Sequence, residues 1–120
     1  MTSREFRALC KNYNVQKQLF GEMHQTLNTP LFRDNIERRS DIVAKRRAVE
    51  VEIGMLADNL YLCQSTFESI EKTCGESARD IMWKIYVDRT PFEEVADEMK
   101  ISLSSLEKRL KGWRNSVGIN

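Results

Sequence analysis

The chain has 120 residues, 41% of them hydrophobic and 31% charged. Its 19 Lys and Arg residues nearly balance 18 Asp and Glu residues, so the net charge is +1 and any nucleic-acid contact requires a local basic patch. The 5 glycines and 2 prolines argue against a β fold with many turns. No apolar run approaches the roughly 18 residues that a membrane span needs. We therefore expect no membrane contact and no signal peptide.

The cysteines and the single histidine predict no reactive site. Cys10, Cys63 and Cys74 are odd in number and form no C-x-x-C motif, so we expect reduced, small core residues of a cytoplasmic protein. His24 has no partner at metal-ligand spacing. Phosphate-binding glycine loops and nucleophile motifs are absent from the sequence. The sequence therefore predicts no metal, no cofactor and no enzymatic activity.

The N-terminal segment predicts one amphipathic helix from Ser3 to Asn28, ended by Pro30. Its apolar positions alternate at spacings of three and four residues, as in the a and d positions of a heptad repeat. They are Phe6, Leu9, Tyr13, Gln16, Phe20, Met23 and Leu27.

A second, longer helix is predicted from about Asn35 to Thr73, with Gly75 as its C-terminal cap. One set of seam residues repeats every seven positions and a second set follows four residues behind it. The sets are Ile42, Val49, Leu56, Cys63, Ile70 and Arg46, Ile53, Leu60, Phe67, Cys74. Because Arg46 interrupts the apolar seam, tight packing is expected only from Val49 onward. The two seams meet either within one hairpin or across a homodimer, and the greater length of the second helix favours the dimer.

The C-terminal third predicts a helix-turn-helix. An apolar face of Ala78, Ile81, Met82, Ile85 and Tyr86 indicates a helix from about Glu76 to Val87. Thr90, Pro91 and Glu93 have the spacing of a capping box that would begin a short helix with Val95, Ala96 and Met99 inside. Ser102 is the expected N-cap of a last helix. The inner face of that helix would be Leu103, Leu106, Leu110, Trp113 and Val117.

These residues resemble region 4 of bacterial sigma-70-type factors and related helix-turn-helix domains. The resemblance runs from Ile81 to Trp113 and depends on Tyr86-Val87-Asp88, Thr90, Glu93-Glu94-Val95-Ala96, Met99, Ile101-Ser102, Leu106 and Leu110. Two positions depart from the family pattern: Lys100 replaces a common glycine in the turn, and Leu103 replaces a common polar residue. With its long helical N-terminal part, the chain is similar to phage transcriptional regulators of the ArpU and RinA type.

The predicted architecture is all-α, with a helical hairpin or coiled coil over residues 1–75 and a helix-turn-helix domain over residues 76–120. If Leu106 and Leu110 face the core, the opposite side of the last helix, residues 103–115, faces the DNA major groove. The candidate base contacts are Ser104, Ser105, Lys108 and Arg109. The candidate phosphate contacts are Arg89, Thr90, Lys100, Ser102, Lys111 and Arg114.

The favoured function is a sequence-specific transcriptional regulator, encoded by a phage or prophage, that binds double-stranded DNA as a homodimer. RNA polymerase is a further candidate partner, through the acidic outer face of the first motif helix, which carries Glu93, Glu94, Asp97 and Glu98. Two alternatives stay open. One is a small terminase-like DNA-packaging subunit, and the other is an adaptor that contacts polymerase without binding DNA.

Overall fold

A computed structural model describes the backbone of residues 1–27 and 39–120 and the side chains of residues 1–27 and 43–120. Over these residues the fold is all-α, as predicted. The helices are α1 (Ser3–Lys11), α2 (Tyr13–Leu27), α3 (Arg39–Cys74), α4 (Glu76–Tyr86), α5 (Phe92–Met99) and α6 (Leu103–Ser116). The predicted helix end at Asn28, the break at Pro30 and the helix start near Asn35 lie outside the described residues.

The single N-terminal helix of the prediction is divided at Asn12. The Asn12 N–H donates to the Ala8 carbonyl over 3.3 Å, and α2 begins at the next residue. Thr2 caps α1 by accepting the Glu5 N–H at 3.1 Å. The predicted seam still describes the inner side of both helices, because Phe6 and Tyr13 are buried and the remaining seam residues are half-buried.

The heptad seam of α3 is packed within the chain. Ile53, Leu56, Cys63, Phe67 and Ile70 are all buried, which agrees with the internal-packing alternative. Arg46 is exposed and pairs with Glu50 at 3.1 Å, so the seam is interrupted where the sequence predicted. No helix of the described residues combines the length and apolarity needed to cross a bilayer.

The boundary between α3 and α4 is a glycine position. Gly75 has φ 100° and ψ 165°, a conformation that residues with a Cβ rarely adopt. Its N–H still bonds to the Glu71 carbonyl at 2.9 Å, and its carbonyl accepts the Arg79 N–H at 3.2 Å. The predicted position of the cap is therefore confirmed, although the backbone is not the left-handed helical one that a simple C-cap uses.

Two compact units divide the chain: residues 1–13 with 62–120, and residues 14–61. The unit that contains α4 to α6 thus includes α1 and the last turns of α3, and it crosses the predicted boundary at residue 75. Aromatic rings connect these segments. Phe6 lies 5.0 Å from Tyr86 and 5.7 Å from Phe67, and Trp83 lies 4.9 Å from Phe67 and 5.1 Å from Tyr13, measured between ring centroids.

Two buried thiols belong to the same core. Cys10 on α1 and Cys63 on α3 are both fully buried and free of disulfides, while Cys74 is half-buried. A hydrogen bond with the Cys63 thiol, together with burial, raises the pKa of the Cys10 thiol well above its usual range. A neutral, unreactive Cys10 follows, as expected for a small core residue.

Candidate nucleic-acid interface

The helices α5 and α6 follow one another across a turn of three residues, in the order that the predicted helix-turn-helix requires. Val95 and Ala96 on α5 and Leu106 and Leu110 on α6 are buried, and α5 packs against both α6 and α4. Ala96 is 3% exposed, so the small side chain lies in the core that the two helices share, as the sequence predicted.

The turn between the two helices is closed by backbone hydrogen bonds. The Lys100 N–H donates to the Asp97 carbonyl and the Ile101 N–H to the Ala96 carbonyl, both at 3.1 Å. This is the Schellman pattern, which places a left-handed residue after the helix. Lys100 holds that position at φ 57° and ψ 42°. Lys100 therefore adopts a conformation for which glycine is preferred.

The start of α6 is capped as predicted. Ser102 has extended backbone at φ −75° and ψ 159°, and its Oγ accepts the Ser105 N–H at 3.2 Å. The same hydroxyl lies 3.1 Å from the Ser105 Oγ and 3.3 Å from the Ser104 Oγ. The three serines thus form one hydroxyl cluster at the N-terminus of α6.

The capping box predicted at Thr90 is wrong. Pro91 precedes the first helical residue, Phe92, and no side chain caps α5. The reason lies in the preceding loop, where Arg89 has φ 60° and the Thr90 N–H bonds to the Lys84 carbonyl at 2.9 Å. Thr90 is therefore attached to the end of α4, and α5 begins one residue later than expected.

The face of α6 opposite Leu106 and Leu110 is largely exposed to solvent. Ser104, Lys108, Arg109 and Lys111 are exposed, and Ser105 is half-buried. Between Lys100 and Arg114 five basic residues face one acidic residue, giving a local charge of +4. Within the described part of the chain none of these six residues forms an ion pair.

The candidate phosphate contacts lie around this face and differ in their solvent exposure. Arg89, Lys100 and Ser102 are exposed, and Thr90 is half-buried. Arg114 is half-buried because its Nη1 donates to the Tyr86 hydroxyl at 3.0 Å. The structure thus places all ten candidates in one unit, but the side chains of four of them already have intramolecular hydrogen-bond partners. These four are Arg114, Ser102, Ser104 and Ser105.

Leu103 differs from its predicted role in the core. It is 42% exposed, because as the first residue of α6 it lies at the end of the packed face. The sequence reasoning also missed Arg7 and Phe92, which line clefts together with Lys111 and Arg114. No local pattern links Arg7 to residues some hundred positions away, so only the packing of α1 reveals it.

The acidic face predicted on α5 is largely free. Glu93, Glu94 and Asp97 are exposed, while Glu98 pairs with Lys84 at 3.1 Å. The described residues hold no group of three or more His, Cys, Asp or Glu side chains arranged for a metal ion. No family model, curated protein or solved structure matches this chain.

Proposed function

We propose that the protein is a sequence-specific transcriptional regulator that binds double-stranded DNA by inserting α6 into the major groove. The proposal rests mainly on the exposed basic face of α6, whose cations form no ion pair with an acidic side chain among the described residues. An α-helix with such a face fits the width of the major groove, and residues of its N-terminal half reach the base edges.

The exposed positions suggest a division of roles along α6. Lys108 and Arg109 are long, exposed and one to two turns from the helix start, so they are the proposed readers of guanine edges, with Ser104 and Ser105 beside them. Lys100 and Lys111 flank this group and bind phosphates. The Ser102 hydroxyl is engaged in capping α6. At this end of the helix, a phosphate would therefore be bound by the free backbone N–H groups of the first helical turn.

The resemblance to sigma region 4 supports the same function and suggests its setting. A phage or prophage regulator acting in the cytoplasm would meet host RNA polymerase, and the exposed Glu93, Glu94 and Asp97 offer that partner an acidic surface. Because these carboxylates lie on α5, they leave the basic face of α6 free for DNA.

The decisive experiment is a gel-shift selection on randomised duplex DNA, repeated at several salt concentrations. We expect an enriched sequence and a steep loss of affinity with salt. Lys108→Ala or Arg109→Ala should each cost about 1–3 kcal/mol and relax the preference at one position of the selected site. If both variants keep affinity and sequence preference while remaining folded, α6 does not enter the groove. The polymerase adaptor then becomes the better interpretation.

We further propose that the regulator is a homodimer that pairs through an exposed face of α3 rather than through its buried seam. Val51 and Met55 are 64% and 63% exposed and line an open groove of about 580 Å³. Arg47 and Asp58 are exposed on the same side and have no ion-pair partner within the described residues.

Charge complementarity selects a second copy as the occupant of this groove. In an antiparallel pair of α3 helices whose twofold axis passes between residues 52 and 53, Arg47 lies opposite the partner's Asp58. The same register places Val51 opposite the partner's Gly54. Beyond its own turn of helix, a Cβ added at Gly54 would meet no described atom within 4 Å, so the exposed glycine leaves a recess for an approaching side chain. Twofold symmetry also matches the paired half-sites that helix-turn-helix dimers read.

A further inference from the structure

A cleft beside the α6 basic face is formed by three segments that are distant in sequence. Two adjoining cavities of about 280 and 290 Å³ share Arg7 of α1, Tyr86 of α4 and Phe92 of α5. The first also has Arg89 in its wall. The second is completed by Lys111 and Arg114 of α6, with Glu107 at its side. All these residues belong to one compact unit.

The charge of this cleft is strongly unbalanced. Its walls carry four cationic side chains, Arg7, Arg89, Lys111 and Arg114, and a single carboxylate, Glu107. Arg7, Arg89 and Lys111 are exposed, and no described residue forms an ion pair with any of the four. Like charges collected around a concave surface repel one another, and an anion that enters the cleft relieves this repulsion.

The cleft also offers an apolar surface. Phe92 is 41% exposed although it is the largest side chain of α5, and it lies in the wall of both cavities. This combination of cations and apolar surface is complementary to the alternating phosphate and deoxyribose groups of a DNA strand. An isolated inorganic anion would contact only the cations. Lys111 connects the two regions, since it lines the cleft and lies one turn of α6 after Lys108.

We propose that this cleft binds backbone phosphates of the DNA duplex and that Arg7, on the N-terminal helix, is a phosphate-contacting residue. The inference rests on the proposed function, because it takes the duplex that α6 reads as the ligand. It extends the DNA-binding surface to α1, which the aromatic contacts of Phe6 fasten to α3 and α4. The N-terminal helix is then part of the DNA-binding unit as well as of its core.

The test compares Arg7→Ala with Arg4→Ala in the full chain. Both arginines are exposed on α1, but Arg4 lines neither cavity, so it is a matched control. Binding to a fluorescein-labelled duplex carrying the selected sequence, and to one of scrambled sequence, is measured by anisotropy across a salt series. Loss of one phosphate contact should reduce the slope of log K against log salt by about 0.9 on both duplexes. Arg4→Ala should leave the slope unchanged.

The Lys108→Ala/Arg109→Ala double variant separates failure of this inference from failure of the proposed function. If it loses sequence preference while Arg7→Ala and Arg4→Ala both behave like wild type, α6 reads DNA and the cleft does not hold its backbone. If wild type binds neither duplex, the DNA function and the cleft assignment both fall. Thermal melts of each variant check that a lost slope does not come from unfolding. Arg7→Ala should melt like wild type, since Arg7 forms no ion pair with any described residue.

Discussion

Arg114 and Tyr86 join the last helix to the helix that precedes the motif through a single hydrogen bond of 3.0 Å, from the guanidinium Nη1 to the phenolic oxygen. The Tyr86 ring is buried against Phe6, so its hydroxyl is held in place and in turn fixes the guanidinium at the rim of the cleft. For the proposed phosphate contact, Arg114 is thereby prearranged at a smaller cost in side-chain entropy than a free arginine would have.

Tyr86→Phe tests this arrangement. Removal of the hydroxyl should lower the free energy of unfolding by about 1 kcal/mol, since the ring packing stays and one hydrogen bond is lost. DNA affinity should fall without a change in salt slope, because the cation is still present. Arg114→Ala should instead reduce the slope by about 0.9. Chemical denaturation of both single variants and the double variant should show non-additive losses, because the two residues share one bond. Additive losses would contradict the contact.

Lys100→Gly should raise stability and weaken DNA binding together. The left-handed conformation at φ 57° costs a residue with a Cβ roughly 1–2 kcal/mol, and glycine avoids most of that cost. The same change removes a proposed phosphate contact. We therefore expect a higher melting temperature and a smaller salt slope. Lys100→Ala is the control, because it removes the charge and keeps the strained conformation. If the glycine variant melts below wild type, the turn is not strained at Lys100.

The aromatic core predicts that residues 76–120 do not fold stably on their own. Phe6 is fully buried, so Phe6→Ala should cost about 3–5 kcal/mol, a large share of the stability of a small domain. Phe20→Ala should cost less, because Phe20 is only half-buried. A fragment of residues 76–120 should lack stable helix in circular dichroism, since it omits the Phe6 and Phe67 rings. A cooperatively melting fragment would instead support the domain boundary predicted at residue 75.

The periodicity of the sequence predicted which faces are buried, but not what covers them. Ile53, Leu56, Cys63 and Phe67 were identified correctly because a heptad pattern depends only on local spacing. Trp83 was missed, although its ring packs against Phe67 and Tyr13, because it lies outside the regular apolar series of α4. Contacts between segments distant in sequence leave no mark in the spacing of either one.

The interface shows the same division between local and distant information. The Ser102 cap was predictable because its hydrogen bond joins residues only three positions apart in the sequence. The box at Thr90 failed because a bond from its N–H to Lys84 moved the helix start, and that bond depends on the path of the loop. The sequence analysis noted Lys100 at a common glycine position but did not predict its left-handed backbone. The contribution of Arg7 to the cleft depends on tertiary packing alone.

Thiol accessibility should follow burial. In the native, reduced protein, iodoacetamide should modify half-buried Cys74 first, because Cys10 and Cys63 are fully buried. The raised pKa of the Cys10 thiol keeps it in the unreactive protonated form. Mass spectrometry should therefore show one fast adduct, and two more only at the rate of unfolding or after addition of urea. Rapid triple modification without denaturant would contradict the buried placement of these two cysteines.

The proposed dimer can be tested by placing a charge in the groove on α3. Light scattering at high micromolar concentration should show a dimer for wild type and a monomer for Met55→Glu, because a carboxylate in the groove would be buried without a partner. Val15→Glu is the control, since Val15 is equally exposed but lies on α2.

Arg47→Asp should also give a monomer, because each substituted residue then faces the partner's Asp58. Adding Asp58→Arg restores opposite charges in the antiparallel register and should restore the dimer. Full restoration by the double reversal is specific to the antiparallel register. In a parallel pair, residue 47 would face residue 47 of the partner, so like charges would meet in wild type and in the double variant alike. A wild type that stays monomeric, or a dimer insensitive to both Met55→Glu and Arg47→Asp, would overturn pairing through this face of α3.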